Sequence, residues 1–272
     1  MSTRRIGLVA WHVFKESVRD RVLYGIVAFA LVLVAASILI GQITAGEDVK
    51  IIKDLGLVAI ELAGLLMTVF IGVGLVAREI ERRSIFSLLS KPLPRWEFIV
   101  GKYVGLVLTI LVNLVGMTAA LYLMLAWLNW GELEVVRQAW DAPATDPRLL
   151  IQVLFIFGEL ALLTAIALFF STFSSSALLS VVFTIGIFVV GLFSADLRNF
   201  GQMVEVPGLV ARLVSGIGWV VPAFSIFDAK NAVVHNLPIG ADRVLATMLY
   251  ATMYTVVSLG GTVALFSRRE FK

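Results

Sequence analysis

Charged side chains cluster in one short segment, Arg78–Lys102, between the second and third long apolar runs of the chain. The segment holds six of the 22 Lys and Arg residues, and near its middle an apolar core of Ile85, Phe86, Leu88 and Leu89. A loop that only had to stay in water would not need this apolar core. Surfaces that bind a partner protein combine an apolar ridge with oriented charges. The pattern therefore predicts a short amphipathic helix that docks on a soluble partner.

A second candidate is Glu159, the only charged residue in the apolar stretch 149–195. A charge deep in a membrane is costly, so a functional or paired role is the default expectation. We expect Glu159 to line a pathway, contact a polar substrate group or stabilise a dimer; a neutral carboxyl packed between helices is the alternative. For Asn113 an interhelical hydrogen bond is favoured over a substrate contact. Glu61 is expected to reach interfacial water.

The motifs of common catalytic sites are missing from this sequence. A phosphate-binding loop is excluded at Gly101-Lys102, because Tyr103 follows and Trp96 stands where the first glycine is needed. The sequence has no His-Glu-x-x-His pair and no Gly-x-Ser-x-Gly elbow. It has no cysteine, and its two histidines lie in separate polar regions. We expect a non-enzyme with no catalytic residue, no metal site and no cofactor of its own.

Composition places the chain in a membrane. Sixty per cent of its 272 residues are hydrophobic, only 15% are charged, and the mean hydropathy is +0.97. That length accommodates about six spanning helices of about 20 residues each. We predict a single all-α transmembrane domain over residues 1–272. The predicted spans are 22–42, 56–77, 103–131, 150–170, 177–195 and 244–266, with a hairpin at the polar run 171–176.

The distribution of basic residues predicts the orientation. The N-terminus, the charged segment, the serine turn and the C-terminus together carry 14 Lys and Arg residues, against eight in the three opposite loops. By the positive-inside rule both termini are cytoplasmic. Residues 1–21 are predicted to form an amphipathic interfacial helix. Residues 196–243 contain Gly216, Gly218 and Pro222, and are predicted to form outer helices that rest on the membrane or dip into it.

The charged segment resembles the cytoplasmic loop of ABC-exporter permeases of the ABC-2 or type V superfamily, especially the branch of the nitrous-oxide-reductase maturation permease. That family has an acidic residue, a Gly-Thr-Leu-like step, a Leu-Leu pair, a proline, an arginine and a downstream Gly-Lys. Here Arg83 stands where glycine is common, Ser84 replaces threonine, and Pro94 replaces Ser or Thr. The matching residues are Glu81, Leu88, Leu89, Pro92, Arg95, Gly101 and Lys102.

The resemblance implies a permease subunit in the cytoplasmic (inner) membrane of a prokaryote, paired with a second copy. It implies that the loop is a coupling helix that binds a separate ATPase subunit, which would hold ATP and Mg²⁺. On that basis the apolar residues would be buried in the partner and the charges would set orientation, while Pro92 ends the helix. The predicted contact residues are Glu79, Glu81, Arg82, Arg83, Ile85, Phe86, Leu88, Leu89, Lys91, Pro92 and Arg95; Glu159 and Asn113 are the predicted pathway residues.

Two other functions remain open at the level of sequence. An ion- or proton-coupled carrier would need more polar residues at mid-membrane and commonly has internal repeats, neither of which is visible. A membrane assembly factor without transport activity is compatible with the same composition. For the charged segment itself, the alternative is a solvated loop whose leucines lie on the lipid surface. The transported substrate is not identified by any residue pattern.

Overall fold

The protein is described by a computed structural model over residues 2–43, 48–72, 94–138, 140, 142–174, 176–203 and 207–268. All regular secondary structure in these ranges is helical. A π-helical turn spans Thr68–Gly72, and a 3-10 turn spans Phe224–Phe227. In chain order the helices are α1 (Ser2–Val18), α2 (Arg21–Ile43), α3 (Asp48–Met67), α4 (Arg95–Gly131), α5 (Glu134–Gln138), α6 (Leu149–Phe173), α7 (Ala177–Leu192), α8 (Ser194–Arg198), α9 (Phe200–Met203), α10 (Gly208–Val220), α11 (Lys230–Val234) and α12 (Ala241–Arg268).

Within the described ranges, four helices are long and apolar enough to cross a membrane: α3 with its π-helical turn, α4, α6 and α12. Two bent pairs meet the same criterion, α1 with α2 at 62° and α10 with residues 224–234 at 45°. The predicted all-α membrane fold is therefore confirmed, with four to six candidate spans. The predicted break at the serine run is also confirmed, because α6 ends at Phe173 and the 16-residue apolar helix α7 begins at Ala177.

The central helix of the bundle is α6, which contacts α3, α4, α7 and α12. Its buried side chains lie on all sides of the helix, as expected of an apolar helix surrounded by other helices. The bundle has two ends. We call the end with Gly72, Arg95 and Phe266 the loop end, and the end with Pro143 and Lys230 the far end.

The N-terminal helix packs along the first turns of α4. A Cβ atom at Gly101 would lie 2.7 Å from Cβ of Val9, and one at Gly105 would lie 2.6 Å from the carbonyl oxygen of Ala10. Glycines spaced Gly-x-x-x-Gly allow two helix backbones to approach this closely. The amphipathic α1 helix is therefore present, with its apolar face on α4; its position at the membrane surface stays a prediction.

Two predicted boundaries were wrong. Helix α3 begins at Asp48, before the predicted span start at residue 56, so Lys53 and Asp54 lie in its first turns. Lys53 is 1% exposed, and its Nζ donates a hydrogen bond to the carbonyl oxygen of Pro143 at 2.7 Å. Helix α4 begins at Arg95 and has 37 residues, about 55 Å, which exceeds the thickness of a bilayer core. An apolar run predicts the part of a helix that lies in the membrane, but not how far the helix extends beyond it.

At the far end the chain between α10 and α12 folds into the bundle. Phe224, Phe227, Val233 and Val234 of this segment are all buried. They extend two apolar clusters that also contain side chains of α3, α4 and α6. We call residues 221–240 the inserted segment, because its side chains are part of the core.

Candidate functional site

The predicted docking residues from Glu79 to Pro92 lie outside the described residues. Their assignment as a docking surface stays a prediction. The structure does describe both flanks of this loop, namely the π-helical turn Thr68–Gly72 before it and Pro94 with Arg95 after it. The flanks show how a force on the loop would enter the helix bundle.

Arg95 links the loop to the last helix. Its Nη1 donates hydrogen bonds to the carbonyl oxygens of Phe266 at 3.0 Å and Ser267 at 2.8 Å, in the last turn of α12. Carbonyls in the last turn of a helix have no partner within it, and a basic side chain there also interacts favourably with the helix dipole. Within the chain its guanidinium contacts α12; the predicted contact of Arg95 with the ATPase stays a prediction.

The base of α4 has a second set of contacts around Arg95. Phe98 stacks on Phe266 of α12 with ring centroids 6.0 Å apart, and the Nζ atom of Lys102 lies 4.6 Å from the Phe98 ring centroid. On the other side, Nη1 of Arg5 in α1 lies 4.0 Å from Oε2 of Glu97. The first turns of α4, which begin at Arg95, thus contact both α1 and α12.

The π-helical turn at the end of α3 is buried against α4 and α6. A small cavity beside it is lined by Thr68, Thr109 and Thr164, among other residues. The Oγ1 atoms of Thr109 and Thr164 donate to backbone carbonyls of their own helices, whereas the buried Thr68 Oγ1 has no partner among the described residues. π-helical turns are rare and frequent at functional sites. Here one precedes the predicted docking loop in the chain.

The far end contains an ion pair between segments that are distant in sequence. Nζ of Lys230, in the inserted segment, donates a hydrogen bond to Oε2 of Glu61 in α3 at 2.7 Å. Oδ1 of Asp228 lies 3.9 Å from the same nitrogen. Glu61 lies near the middle of the helix from Asp48 to Gly72 and its side chain is 22% exposed, so its contact with interfacial water stays a prediction. The ion pair shows that the inserted segment reaches deep beside α3.

Glu159 belongs to the same group of charges. It is 3% exposed, and the charges of Glu61, Lys230 and Asp228 all act on its carboxyl. No group of three or more His, Asp and Glu residues in the described ranges is arranged to hold a metal ion.

Gln152 attaches the inserted segment to α6. Its Oε1 accepts a hydrogen bond from the backbone N–H of Ala229 at 2.8 Å, and its Nε2 donates to the carbonyl oxygen of Phe227 at 3.3 Å. Gln152 and Glu159 are seven residues apart in α6, which puts them on one face of the helix. The inserted segment therefore lies over the face of α6 that carries Glu159.

Asn113 makes a different contact from the one expected. Its Nδ2 donates a hydrogen bond to the carbonyl oxygen of Thr109 at 2.7 Å, one turn earlier in the same helix. The expectation of an interhelical bond was therefore wrong. The amide is bound to its own helix, and a role in a substrate pathway stays a prediction.

Comparison with known families decides the class of protein. A model of the family described as ABC-2 family transporter protein matches residues 8–271, almost the whole chain. The chain belongs to the ABC-2 family of transporter proteins. A search of curated proteins finds no match.

Membership in the ABC-2 family makes this chain a multi-pass membrane component rather than an ATPase, and implies an ABC ATPase as a partner. The match extends over α1, the candidate spans and the inserted segment. Arg95 and Lys230 therefore both lie within the matched region.

Sequence reasoning missed three features of this ABC-2 protein. The glycine pair Gly101 and Gly105 has a recognisable spacing and could have been found as a helix contact. A polar residue in an apolar run, such as Gln152, was also visible. The partner of Glu61 was not visible, because Lys230 lies 169 residues further along the chain.

Proposed function

We propose that this chain is the permease subunit of an ATP-driven exporter, in which a separate ABC ATPase binds residues 79–92. ATP and Mg²⁺ are held by that ATPase. The observation that carries the proposal is the position of Arg95, which directly follows the loop and binds the end of α12. A movement of the loop therefore acts on α4 and α12 together, and through α4 on α1.

The mechanism needs a point at which the chain can bend and a rigid element that transmits the movement. The segments on either side of the loop include a candidate for each. The π-helical turn Thr68–Gly72 has a hydrogen-bond pattern that differs from that of α3, so α3 bends there more easily. Helix α4 is continuous from Arg95 to Gly131 and acts as the lever. Closure of two ATPases would then rotate α4 with α12 and change access to the bundle between two copies of the chain, by alternating access or lateral extrusion.

We assign the loop end, with both termini, to the cytoplasm of a prokaryotic inner membrane. The support is the excess of Lys and Arg in the loop and termini, together with the ATPase that the family implies. Within the family we place the chain near the nitrous-oxide-reductase maturation permeases, on the strength of Glu81, the Leu88-Leu89 pair and Gly101-Lys102. The working unit is proposed to be a homodimer.

An ion-coupled carrier is the second candidate function, and the charge group of Glu61, Glu159 and Lys230 favours it. Intramembrane carboxylates are common on proton and ion pathways. The two functions differ in their energy source. The family match and the paired flanks of the loop favour the ATP-driven exporter.

The test is purification of the tagged chain from its native membrane in a mild detergent, with identification of stoichiometric partners by mass spectrometry. We expect an ATPase with a Walker motif to co-purify with the wild type. Leu88→Asp puts a charge on the predicted apolar surface of the loop. It should lower the amount of ATPase that co-purifies at least tenfold. The matched control is Leu133→Asp, the same substitution at a 75% exposed leucine at the far end, which should retain the partner.

Two results would overturn the proposal. One is a stable homo-oligomer without any ATPase, under conditions that preserve a known ABC complex. The other is equal recovery of the ATPase with Leu88→Asp and wild type, which would remove the docking role from this ridge. Single charge reversals at Arg82 or Arg83 should separate ATP hydrolysis from transport without preventing membrane insertion.

A further inference from the structure

Thr68 differs from the two other buried threonines beside the π-helical turn. Oγ1 of Thr109 donates a hydrogen bond to the carbonyl oxygen of Gly105 at 2.9 Å, and Oγ1 of Thr164 donates to that of Leu160 at 2.6 Å. Both bonds run one turn back along the same helix. The side chain of Thr68 is 1% exposed, yet its Oγ1 has no partner among the described residues. A buried hydroxyl without a hydrogen bond costs free energy, so a partner is expected there.

The three threonines line one cavity between α3, α4 and α6. The space in this cavity that is open to the centre of a water molecule is about 10 Å³, which is the size that holds a single water. An organic ligand would need a much larger cavity. None of the eight lining residues is charged, so an ion there would have no counter-charge among them. The remaining lining residues are Met67, Ile71, Gly72, Leu106 and Ile110.

The hydrogen-bonding capacity of the three hydroxyls matches that of a water molecule. A threonine hydroxyl has one donor and two acceptor sites. Thr109 and Thr164 use their donors on their own helices and keep acceptor capacity, whereas Thr68 keeps its donor as well. One water can accept a hydrogen bond from Thr68 and donate to the two other hydroxyls. Buried waters typically make about three hydrogen bonds to polar groups of this kind.

We propose that the cavity binds one water molecule, which joins the π-helical turn of α3 to α4 and α6 through the hydroxyls of Thr68, Thr109 and Thr164. Helices bend at π-helical turns and where a water is inserted beside the backbone. Because hydrogen bonds to water exchange readily, α3 can bend at this turn without leaving Thr68 unpaired. The site rests on the packing of three helices alone and is independent of the proposed transport function.

Radiolytic labelling with a short X-ray pulse tests for the water in the full chain, purified in mild detergent with its bound partner. Hydroxyl radicals form from a bound water in place and oxidise the side chains beside it, and mass spectrometry locates the oxidised residues. The reporter is Met67, which lines the cavity and is 2% exposed. A radical scavenger in the bulk solvent should suppress oxidation of Trp130, which is 88% exposed, and leave that of Met67.

Thr68→Val removes the hydroxyl and nearly keeps the shape of the side chain. Without its hydrogen-bond donor the water should be lost, which should lower the oxidation rate of Met67 by about fivefold or more. Thr262→Val is the matched control, because Thr262 is also buried, donates to the carbonyl oxygen of Ser258 at 2.8 Å and is not among the lining residues of the cavity. It should leave the oxidation rate of Met67 unchanged.

Two further variants separate loss of the water from other changes in the chain. Thr68→Ser keeps a hydroxyl and should keep the wild-type oxidation rate of Met67. If Thr68→Val does not fold, Thr164→Val gives the same test, because it removes one of the two acceptors. Absence of Met67 oxidation in the wild type overturns the proposal. Equal oxidation rates in the wild type and in the folded valine variant overturn it as well.

Discussion

At the loop end, α1 crosses α4 over Gly101 and Gly105, whereas at the far end the inserted segment meets α3 and α6 through Lys230 and Gln152. The first contact is close packing of two backbones, with no spare volume. The second combines apolar side chains of the inserted segment, which are buried in the core, with a few hydrogen bonds and an ion pair. Packed helices move as one body, while polar contacts of this kind can open and close.

The difference corresponds to two tasks of a permease. A part that receives force from an ATPase has to transmit it without deforming, and the contacts of α1, α4 and α12 at the loop end have that character. A part that admits or releases a substrate has to open, and the ion pair and hydrogen bonds at the far end are contacts of a kind that can open. The predictions below test each side of this comparison.

The largest effect is expected for Gly105→Leu. A side chain at this position would collide with the backbone of Ala10 and with Val13, so overpacking should destabilise the chain by about 3 kcal/mol. Gly116→Leu is the matched control in the same helix, because nothing lies within 4 Å of the Cβ position there. Thermal unfolding in detergent measures both. Equal melting temperatures of the two variants would show that the contact between α1 and α4 is not tight.

A smaller effect is expected for the ion pair at the far end. Lys230→Met and Glu61→Gln each leave one partly buried charge without its partner. A double-mutant cycle should give a coupling free energy of about 1–2 kcal/mol, since both side chains are mostly buried. Lys230→Met should also increase proteolytic cleavage within the inserted segment. A coupling free energy near zero would mean that the segment is held by apolar contacts alone.

The smallest effect on stability is expected for Arg95→Ala. Loss of two hydrogen bonds to the end of α12 should cost about 1 kcal/mol and act locally. Hydrogen exchange of the last turns of α12 should become several-fold faster, whereas Arg137→Ala, at an exposed site on α5, should leave it unchanged. Unchanged hydrogen exchange in Arg95→Ala would contradict the proposal that Arg95 links the loop to α12.

Much of the fold follows from local sequence patterns. The polar run around Ser174 and Ser176 separates α6 from α7, because an apolar stretch of that length exceeds one bilayer. The amphipathic pattern of residues 1–21 predicted the helix α1, in which Ala10 and Val13 are buried. The break between α6 and α7 and the amphipathic character of α1 both depend on residues that are close together in the sequence.

The candidate site depends on contacts that the sequence does not contain. Lys53 and Glu61 look alike as charges near an apolar run, but one binds the carbonyl of Pro143 and the other binds Lys230. Hydropathy predicts which segment enters the membrane. It does not predict which face of a helix contacts which neighbouring helix. Asn113 is a further case, since its amide could reach its own helix or another with equal chemistry.

The central claim is that the loop 79–92 binds an ATPase, and a cross-linking experiment tests it most directly. The chain has no cysteine, so Ser87→Cys places a single thiol between Phe86 and Leu88. Leu133→Cys places the same thiol at the far end. After treatment of native membranes with a thiol-to-amine cross-linker, we predict an adduct of the Ser87→Cys chain with a Walker-motif ATPase and none from Leu133→Cys. An ATPase adduct from Leu133→Cys alone, or from neither variant, would contradict the account.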